Sequence, residues 1–581
     1  MTRSADPPGR PREASRKRTP QRDRRLKQNP AYTPAGILLC QARVQRHTPL
    51  ALWFGLFSVA FGIRFVGIRW GLPNAEHYYS YHPDEWLILL ASYFVINPYA
   101  GEFLPGFYNY GTLPMYLWSL WLHWLSAVGV IPSLPPNAMP EQVALLRAEL
   151  YYWARLLVAL MGAGTAVVVG RTAAMVGGTR AGVVAGLAMA FAPAFVVHSR
   201  FQTVDVPTTF FVALAFHQAV ALAQSARPMR TLLWGAFWAG CAAGAKYNAG
   251  LSLLAPLISL WLLPIQPTPK RTLWGFAAIG VAGLTFLGVC PGMWADSARF
   301  WQHFWYEVRH VGTGHGEVFT GTGVGWVYHL VPNLSTGFGA LGLIASAVGW
   351  AFSIRERRWW GILGASLAYY LLIGAAEVRF LRYTFPLLPM LAIGVGVCAV
   401  PPANTTRWLR VTAPLLAGAA LLWQLLSATD FSLCMVRPDT RDQAAAWLRA
   451  NLPAGTRIGF PTVPWFYTPP LFPETGELYW QKRLEYAQAA PRYRLIPLAP
   501  PEWNADALQA SLPEYLIISE FEERDVQRIG RADYKAFMQV VNARYQLVQT
   551  FTNDPPLLGR KPTIPHDLLY ICPFVKVYRL R

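Results

Sequence analysis

The sequence predicts a polytopic α-helical membrane protein with a small soluble α/β domain at its C-terminal end. Three observations predict it. Of the 581 residues, 53% are hydrophobic and only 14% charged. The apolar residues cluster: 156–170, 181–197, 207–223, 249–264 and 409–427 contain no acidic residue, and about 20 largely apolar residues carry a helix across a bilayer. Beyond residue 429 this pattern gives way to short runs of mixed polarity. The ten-residue alternation of an outer-membrane barrel is absent.

Residues 1–49 hold twelve Lys/Arg and three acids, with many prolines and no apolar periodicity. They read as a disordered cytoplasmic arm beside anionic lipid rather than a cleaved signal peptide or a nucleic-acid binder. Residues 50–428 follow as the membrane domain. The candidate spans are 50–68, 150–170, 181–197, 207–224, 232–246, 249–264, 273–291, 332–353, 359–375, 383–400 and 409–427, about eleven in all. With the N-terminus inside, the short cytoplasmic turns carry Arg171 and Arg180, Arg227 and Arg230, Lys270 and Arg271, Arg355, Arg357 and Arg358, and Arg407 and Arg410, as the positive-inside rule requires. Segment 69–149 has six acids against Arg69 and Arg147 and belongs outside. Residues 113–130 are apolar enough to span, but that would put the basic turns outside, so this Trp-rich stretch is assigned to the membrane interface.

Residues 429–581 are then an extracytoplasmic domain. A helix-like stretch (442–451) and strand-like runs at 456–460, 515–519, 545–551 and 570–578 suggest an α/β fold. The six cysteines show no metal-ligand spacing. Cys434 and Cys572, near the two ends of this domain, are either a disulfide or two free thiols.

Ionisable residues near a bilayer point to function. The clearest group is His82-Pro83-Asp84-Glu85-Trp86, past the first span. Pro83 suits a helix start, so the acids have a capping alternative. A second group, from His198 to Pro207, contains Asp205 and lies on the same side. Asp205 too has a capping alternative. Two carboxylates from separate loops suggest paired work, one removing a proton and the other orienting it or holding a metal. His82, Asp84, His198 and Asp205 leave a divalent metal possible, but no ligand set is assigned. Arg64 and Arg155 lie in or at the outer ends of spans and need partners; they are expected to pair with Asp84, Glu85 or Asp205. The external loop 292–331 holds His315 and a glycine-rich run from Gly312 to Gly325. It is either a lid or an exposed flexible loop.

His82-Pro83-Asp84-Glu85 after the first span, with an Asp shortly before a Pro after the third, resembles the GT-C fold glycosyltransferases that use polyprenyl- or dolichyl-phosphate sugars. The closest resemblance is to bacterial members of the protein O-mannosyltransferase and aminoarabinose-transferase group. Arg155-Leu156-Leu157, Gly244-Ala245-Lys246-Tyr247 and Arg379-Phe380-Leu381-Arg382-Tyr383 followed by Pro386 and Pro389 add weaker matches. The resemblance covers roughly residues 50–400. It implies inverting transfer of a sugar from a polyprenyl-phosphate donor to a hydroxyl of a protein, lipid or glycan acceptor at the outer face of a cell (inner) membrane. Asp84 is the implied general base. Glu85 holds the acceptor or tunes Asp84, and Asp205 assists. Lys246, Arg379 and Arg382 receive the departing phosphate, with interfacial snorkelling as their alternative. His82, His198, Tyr383 and His315 complete the binding set. A transporter using the same acids as ion or proton sites is the alternative function; its acids belong near the bilayer midplane.

Overall fold

A computed structural model describes residues 49–74, 76–135, 138–262, 267–471, 485, 490–560 and 564–581. Apart from its last residue, the basic arm lies outside the described residues. Every apolar stretch marked as a span is helical along most of its length. Among the described residues, six helices are long and apolar enough to cross a membrane: Glu141–Ala190, Asp205–Gln224, Thr268–Val289, Gly325–Ser353, Leu381–Cys398 and Arg407–Cys434. Shorter apolar helices include Leu50–Phe65 and Tyr247–Leu262. The chain is a multi-pass helical membrane protein.

The helical run Pro140–Ala190 has 51 residues. A straight helix of that length measures about 77 Å, more than twice a hydrocarbon core of about 30 Å. The run reverses at Gly178, whose φ of 78° and ψ of 176° are non-helical and sterically open only to glycine. Beyond the turn, Gly182 lies against Gly170, and Gly186 against the carbonyl of Ala166, so the two limbs form an antiparallel pair. These limbs correspond to the second and third expected spans.

Helix Leu113–Ala127 has 15 residues, about 22 Å long and short of a bilayer crossing. Leu120 and Trp124 on it are exposed. The preceding loop is pressed onto the C-terminal end of helix Pro228–Ala245: a Cβ on Gly111 would stand 2.1 Å from the carbonyl oxygen of Gly244. Thr112 Oγ1 donates to the carbonyl of Val289 at 2.7 Å. The segment before helix Leu113–Ala127 is thereby fixed over the C-terminal ends of two helices, Pro228–Ala245 and Thr268–Val289.

The C-terminal region forms a five-stranded sheet of β1 (Arg457–Phe460), β2 (Arg494–Pro497), β3 (Tyr515–Ser519), β4 (Tyr545–Phe551) and β5 (Val575–Leu580) in the order β2-β1-β3-β5-β4. The first three are parallel; β5 runs antiparallel to β3 and β4. Helices Thr440–Asn451, Glu520–Ile529 and Ala532–Arg544 accompany it. The expected strands at 456–460, 515–519 and 545–551 match closely, the last expected strand shifts to 575–580, and β2 was not expected. The domain is tied to the segment that follows helix Leu50–Phe65. Arg441 is held by both oxygens of Asp439 (2.6 and 2.8 Å) and stacks on Tyr81 at 3.8 Å. Tyr81 in turn donates to Asp442 at 2.5 Å.

Cys434 and Cys572 are both buried, and their thiols are free in the structure. Cys572 Sγ turns back toward the carbonyl of Leu568, 3.4 Å away.

Candidate active site

The site is built where four chain segments meet. Asp84 sits at the N-cap of the short helix Glu85–Leu89, yet its side chain caps nothing. It reaches Arg382 instead, with Oδ2 3.3 Å from Nη2. Asp205 opens helix Asp205–Ala221, and its Oδ1 accepts from Lys246 Nζ at 2.7 Å. Its other oxygen lies 3.9 Å from Arg382 Nε. The capping alternatives therefore do not describe either carboxylate. Arg382 belongs to the 3-10 turn Leu381–Leu387 that opens a membrane helix, and Phe380 stacks beneath its guanidinium at 4.1 Å.

A third carboxylate was not expected. Asp567, in the C-terminal domain, accepts from Arg382 Nη1 at 2.5 Å and from the backbone N–H of Leu381 at 2.5 Å. One guanidinium thus bridges carboxylates from two interhelical segments and the C-terminal region. Nothing near Asp567 in the sequence signals this, because an acid in a soluble domain is ordinary.

Glu85 faces away from Asp84. Its side chain is fully buried, whereas that of Asp84 is 29% exposed. Arg155 donates to both Glu85 oxygens at 2.8 and 2.6 Å, and Ser80 and the backbone N–H of Gln202 also donate to it. The remaining Arg155 donors go to the carbonyls of Ile68 and Trp70 at 2.9 and 2.7 Å and to Ser80 Oγ at 3.0 Å. This pair staples helix Pro140–Ala190 to the segment after helix Leu50–Phe65 and to the segment before helix Asp205–Ala221. Glu85 has no oxygen left to hold an acceptor, which corrects the catalytic expectation.

Arg64 needs a second correction. It is buried, but it bonds Ser199 Oγ at 3.1 Å and the carbonyls of Ala60 and Ala190 at 2.8 and 3.0 Å rather than any acid. Arg379 is the third. It lies three residues from Arg382 but grips the glycine-rich loop at Thr322 Oγ1 (2.8 Å) and the carbonyl of Gly323 (2.7 Å), and pairs with Glu377 at 3.1 Å. His315 is exposed and packs edge-on against Phe380 at 5.2 Å. The loop itself is latched by the C-terminal domain. Arg528 donates to the carbonyls of Glu317 and Val318 at 3.0 and 3.1 Å, and Arg531 pairs with Glu317 at 2.9 Å.

Lys246 stands over the ring of Tyr383 at 4.1 Å. Both line a cavity of about 380 Å³. Asn109, Tyr110, Asn248 and Glu307 add polar groups to its wall, and Phe304, Val311, Leu372, Ile373 and Ala376 make the rest apolar. Burial pushes the Glu307 carboxyl above the usual glutamate range, against the pull of His310 and Lys246. Asn109, Tyr110, Asn248 and Glu307 were not among the expected site residues. His82 and His198 lie side by side, ring centroids 6.3 Å apart, under the cluster. Burial holds His82 well below its ordinary titration range, so it offers polarity without charge.

Among the described residues, no three His, Cys, Asp or Glu side chains converge to hold a metal ion. Arg382 itself takes the position between Asp84 and Asp205 that a bridging cation would need. Asp84 and Asp205 lie at helix starts, and the transporter alternative finds no support.

Fold and site together define a helical membrane protein with a carboxylate–cation cluster at one end of its helices, beside an amphiphilic cavity. Residues 143–294 match the model of the family described as dolichyl-phosphate-mannose-protein mannosyltransferase, which bears out the resemblance over that stretch. No curated protein matches the chain. Among solved structures, the chain is similar to the oligosaccharyltransferase AglB from the archaeon Archaeoglobus fulgidus, in complex with an inhibitory peptide and a dolichol-phosphate. That likeness has 13% identity and a TM-score of 0.46, covering 90% of this chain and 77% of that one. ArnT from Cupriavidus metallidurans bound to undecaprenyl phosphate shows 16% identity and a TM-score of 0.45, over 91% and 98% of the two chains. The Pmt1-Pmt2 protein O-mannosyltransferase complex of S. cerevisiae, bound to its sugar donor, shows 18% identity and a TM-score of 0.31, over 48% and 37%.

Proposed function

We propose that this protein transfers a sugar from a polyprenyl-phosphate donor to an acceptor hydroxyl, with inversion, at the outer face of a cell (inner) membrane. Residues 50–428 form the transferase domain and 429–581 an extracytoplasmic domain, with the N-terminus cytoplasmic. The basic short turns support that orientation. The observation that carries the reading is the neighbourhood of Asp84. It is a partly exposed carboxylate with one oxygen on Arg382 and the other uncommitted, in a cluster that reaches through Asp205 to Lys246 on the cavity wall.

In this reading the apolar wall of the cavity takes the first isoprenyl units and Lys246 faces the phosphate. Asp84 accepts the proton of the acceptor hydroxyl. The acceptor oxygen forms a bond to the anomeric carbon from the face opposite the phosphate. The bond from that carbon to the phosphate oxygen breaks, and its electron pair leaves with the phosphate toward Lys246. Arg382 holds Asp84 and Asp205 in place.

The test is incubation of membranes containing the protein with a panel of labelled polyprenyl-phosphate sugars. One donor should yield labelled product, and Asp84→Asn should abolish transfer while the protein still folds. Full transfer by that variant rejects Asp84 as the base.

A further inference from the structure

A second cavity, of about 650 Å³, lies between the glycine-rich loop with the following helix and the C-terminal domain. Its wall carries three arginines, Arg524, Arg528 and Arg560, and two acids, Glu520 and Asp525. The pairing among them is uneven. Arg560 is tied to Glu520 and, at 3.1 Å, to Asp554. Arg528 pairs with Asp525 at 3.3 Å and spends its other donors on loop carbonyls. Arg524 makes one hydrogen bond, from Nη1 to the carbonyl of Ile564 at 2.8 Å, and among the described residues it has no carboxylate at ion-pair distance. A guanidinium has five donors in a planar fork that matches carboxylate and phosphate. Most of that fork is uncommitted on a cavity wall where the arginines exceed the acids by one.

The cavity also adjoins the reaction centre. Pro565 lines it, and two residues further on Asp567 grips Arg382. A ligand bound here therefore touches the segment that carries the third carboxylate of the cluster.

We propose that this cavity binds the acceptor, and that Arg524 recognises an oxyanion on it, a phosphate or a carboxylate. The proposal rests on the transferase reading given above and extends it to the acceptor's chemical class. The fork binds the anion bidentately, and the hydroxyls of Tyr328 and Thr336 on the wall add hydrogen-bonding capacity.

The experiment is saturation-transfer NMR on the full-length protein in lipid nanodiscs with three probes: glucose 6-phosphate, glucuronate and glucose. At least one anion should bind more tightly than glucose, and added salt should weaken it. The phosphate and carboxylate arms identify which oxyanion is preferred. Arg524→Gln should weaken anion binding about tenfold or more, and Arg524→Lys, which keeps the charge but loses the fork, about three- to tenfold. Equal binding of glucose and both anions overturns the proposal. So does unchanged anion affinity in whichever of the two variants folds. Binding is read here without turnover. A protein that binds the anion but never transfers sugar refutes the transferase reading alone, and one that transfers sugar without binding either anion refutes this one alone.

Discussion

Arg382 Nη1 and Asp567 Oδ1 lie 2.5 Å apart, although 185 residues separate them in the chain. The pair makes the soluble domain part of the cluster that holds Asp84. Removing the charge at Asp567 leaves Arg382 to its two loop carboxylates and draws it closer to the proposed base.

Asp567→Asn should therefore slow transfer. A buried charge-assisted hydrogen bond contributes about 1.5–3 kcal/mol, which corresponds to about ten- to a hundredfold in rate. Combined with Arg382→Gln, the loss should fall well short of the sum of the single losses, because both changes break the same contact. Labelled-sugar transfer by the four proteins, normalised to folded material, checks this. Additive losses would mean that Asp567 acts elsewhere.

Much of this architecture is legible in the sequence because a bilayer imposes a simple rule on composition. Each acid-free apolar stretch became a helix along most of its length. Asp84, Asp205, Lys246 and Arg382 are legible for the same reason: a charge at a helix end in such a chain is conspicuous. Glu85 and Arg379 were misread because sequence neighbours need not face one way. At the start of helix Glu85–Leu89, one residue turns a side chain through about 100°, enough to send Glu85 to Arg155 while Asp84 meets Arg382. Asp567 was not legible, since its role depends on how a soluble domain docks. Strand β2 was missed because Arg494–Pro497 is short and ends in proline, a poor strand signal.

The staple formed by Glu85 and Arg155 predicts a stability effect. Both side chains are fully buried, 2.6 Å apart at their closest atoms. Glu85→Gln strands a buried guanidinium, and breaking such a pair on one side costs about 3–5 kcal/mol. Arg155→Met with Glu85→Gln should recover part of that loss, because no uncompensated charge remains. Thermal unfolding in detergent, followed by tryptophan fluorescence, measures both. A double variant less stable than Glu85→Gln alone would refute the account.

The latch on the glycine-rich loop can be opened from the soluble domain. Arg528 and Arg531 reach the loop only through Glu317, Val318 and Thr320. Replacing both arginines by alanine should raise the local opening rate without unfolding the membrane helices. Limited digestion with a glutamate-specific protease should then cut at Glu317 faster than in the unaltered protein. An unchanged rate would mean that Arg379, gripping the other end of the loop, suffices to hold it.

Glu522 sets a pH dependence opposite to that of most carboxylates. It lies in the soluble domain, accepting from Thr462 Oγ1 at 2.5 Å and from the backbone N–H of Ser519 at 2.8 Å. Burial pushes its carboxyl up to about 8, from an ordinary value of 4.5. Between those two values the folded protein holds a proton that the unfolded chain has released, so stability falls as pH rises across this window. The loss is complete above pH 8, and at about 1.4 kcal/mol per unit it amounts to a few kcal/mol. Glu522→Gln keeps an acceptor for the Ser519 N–H and reverses the Thr462 contact, its amide donating to Thr462 Oγ1, but it carries no proton to lose. Its melting temperature should vary less than that of the unaltered protein between pH 5 and 9, and it should be the more stable of the two at pH 8.5. Parallel melting curves for the two proteins across that range would show that Glu522 ionises in the fold as it does in water.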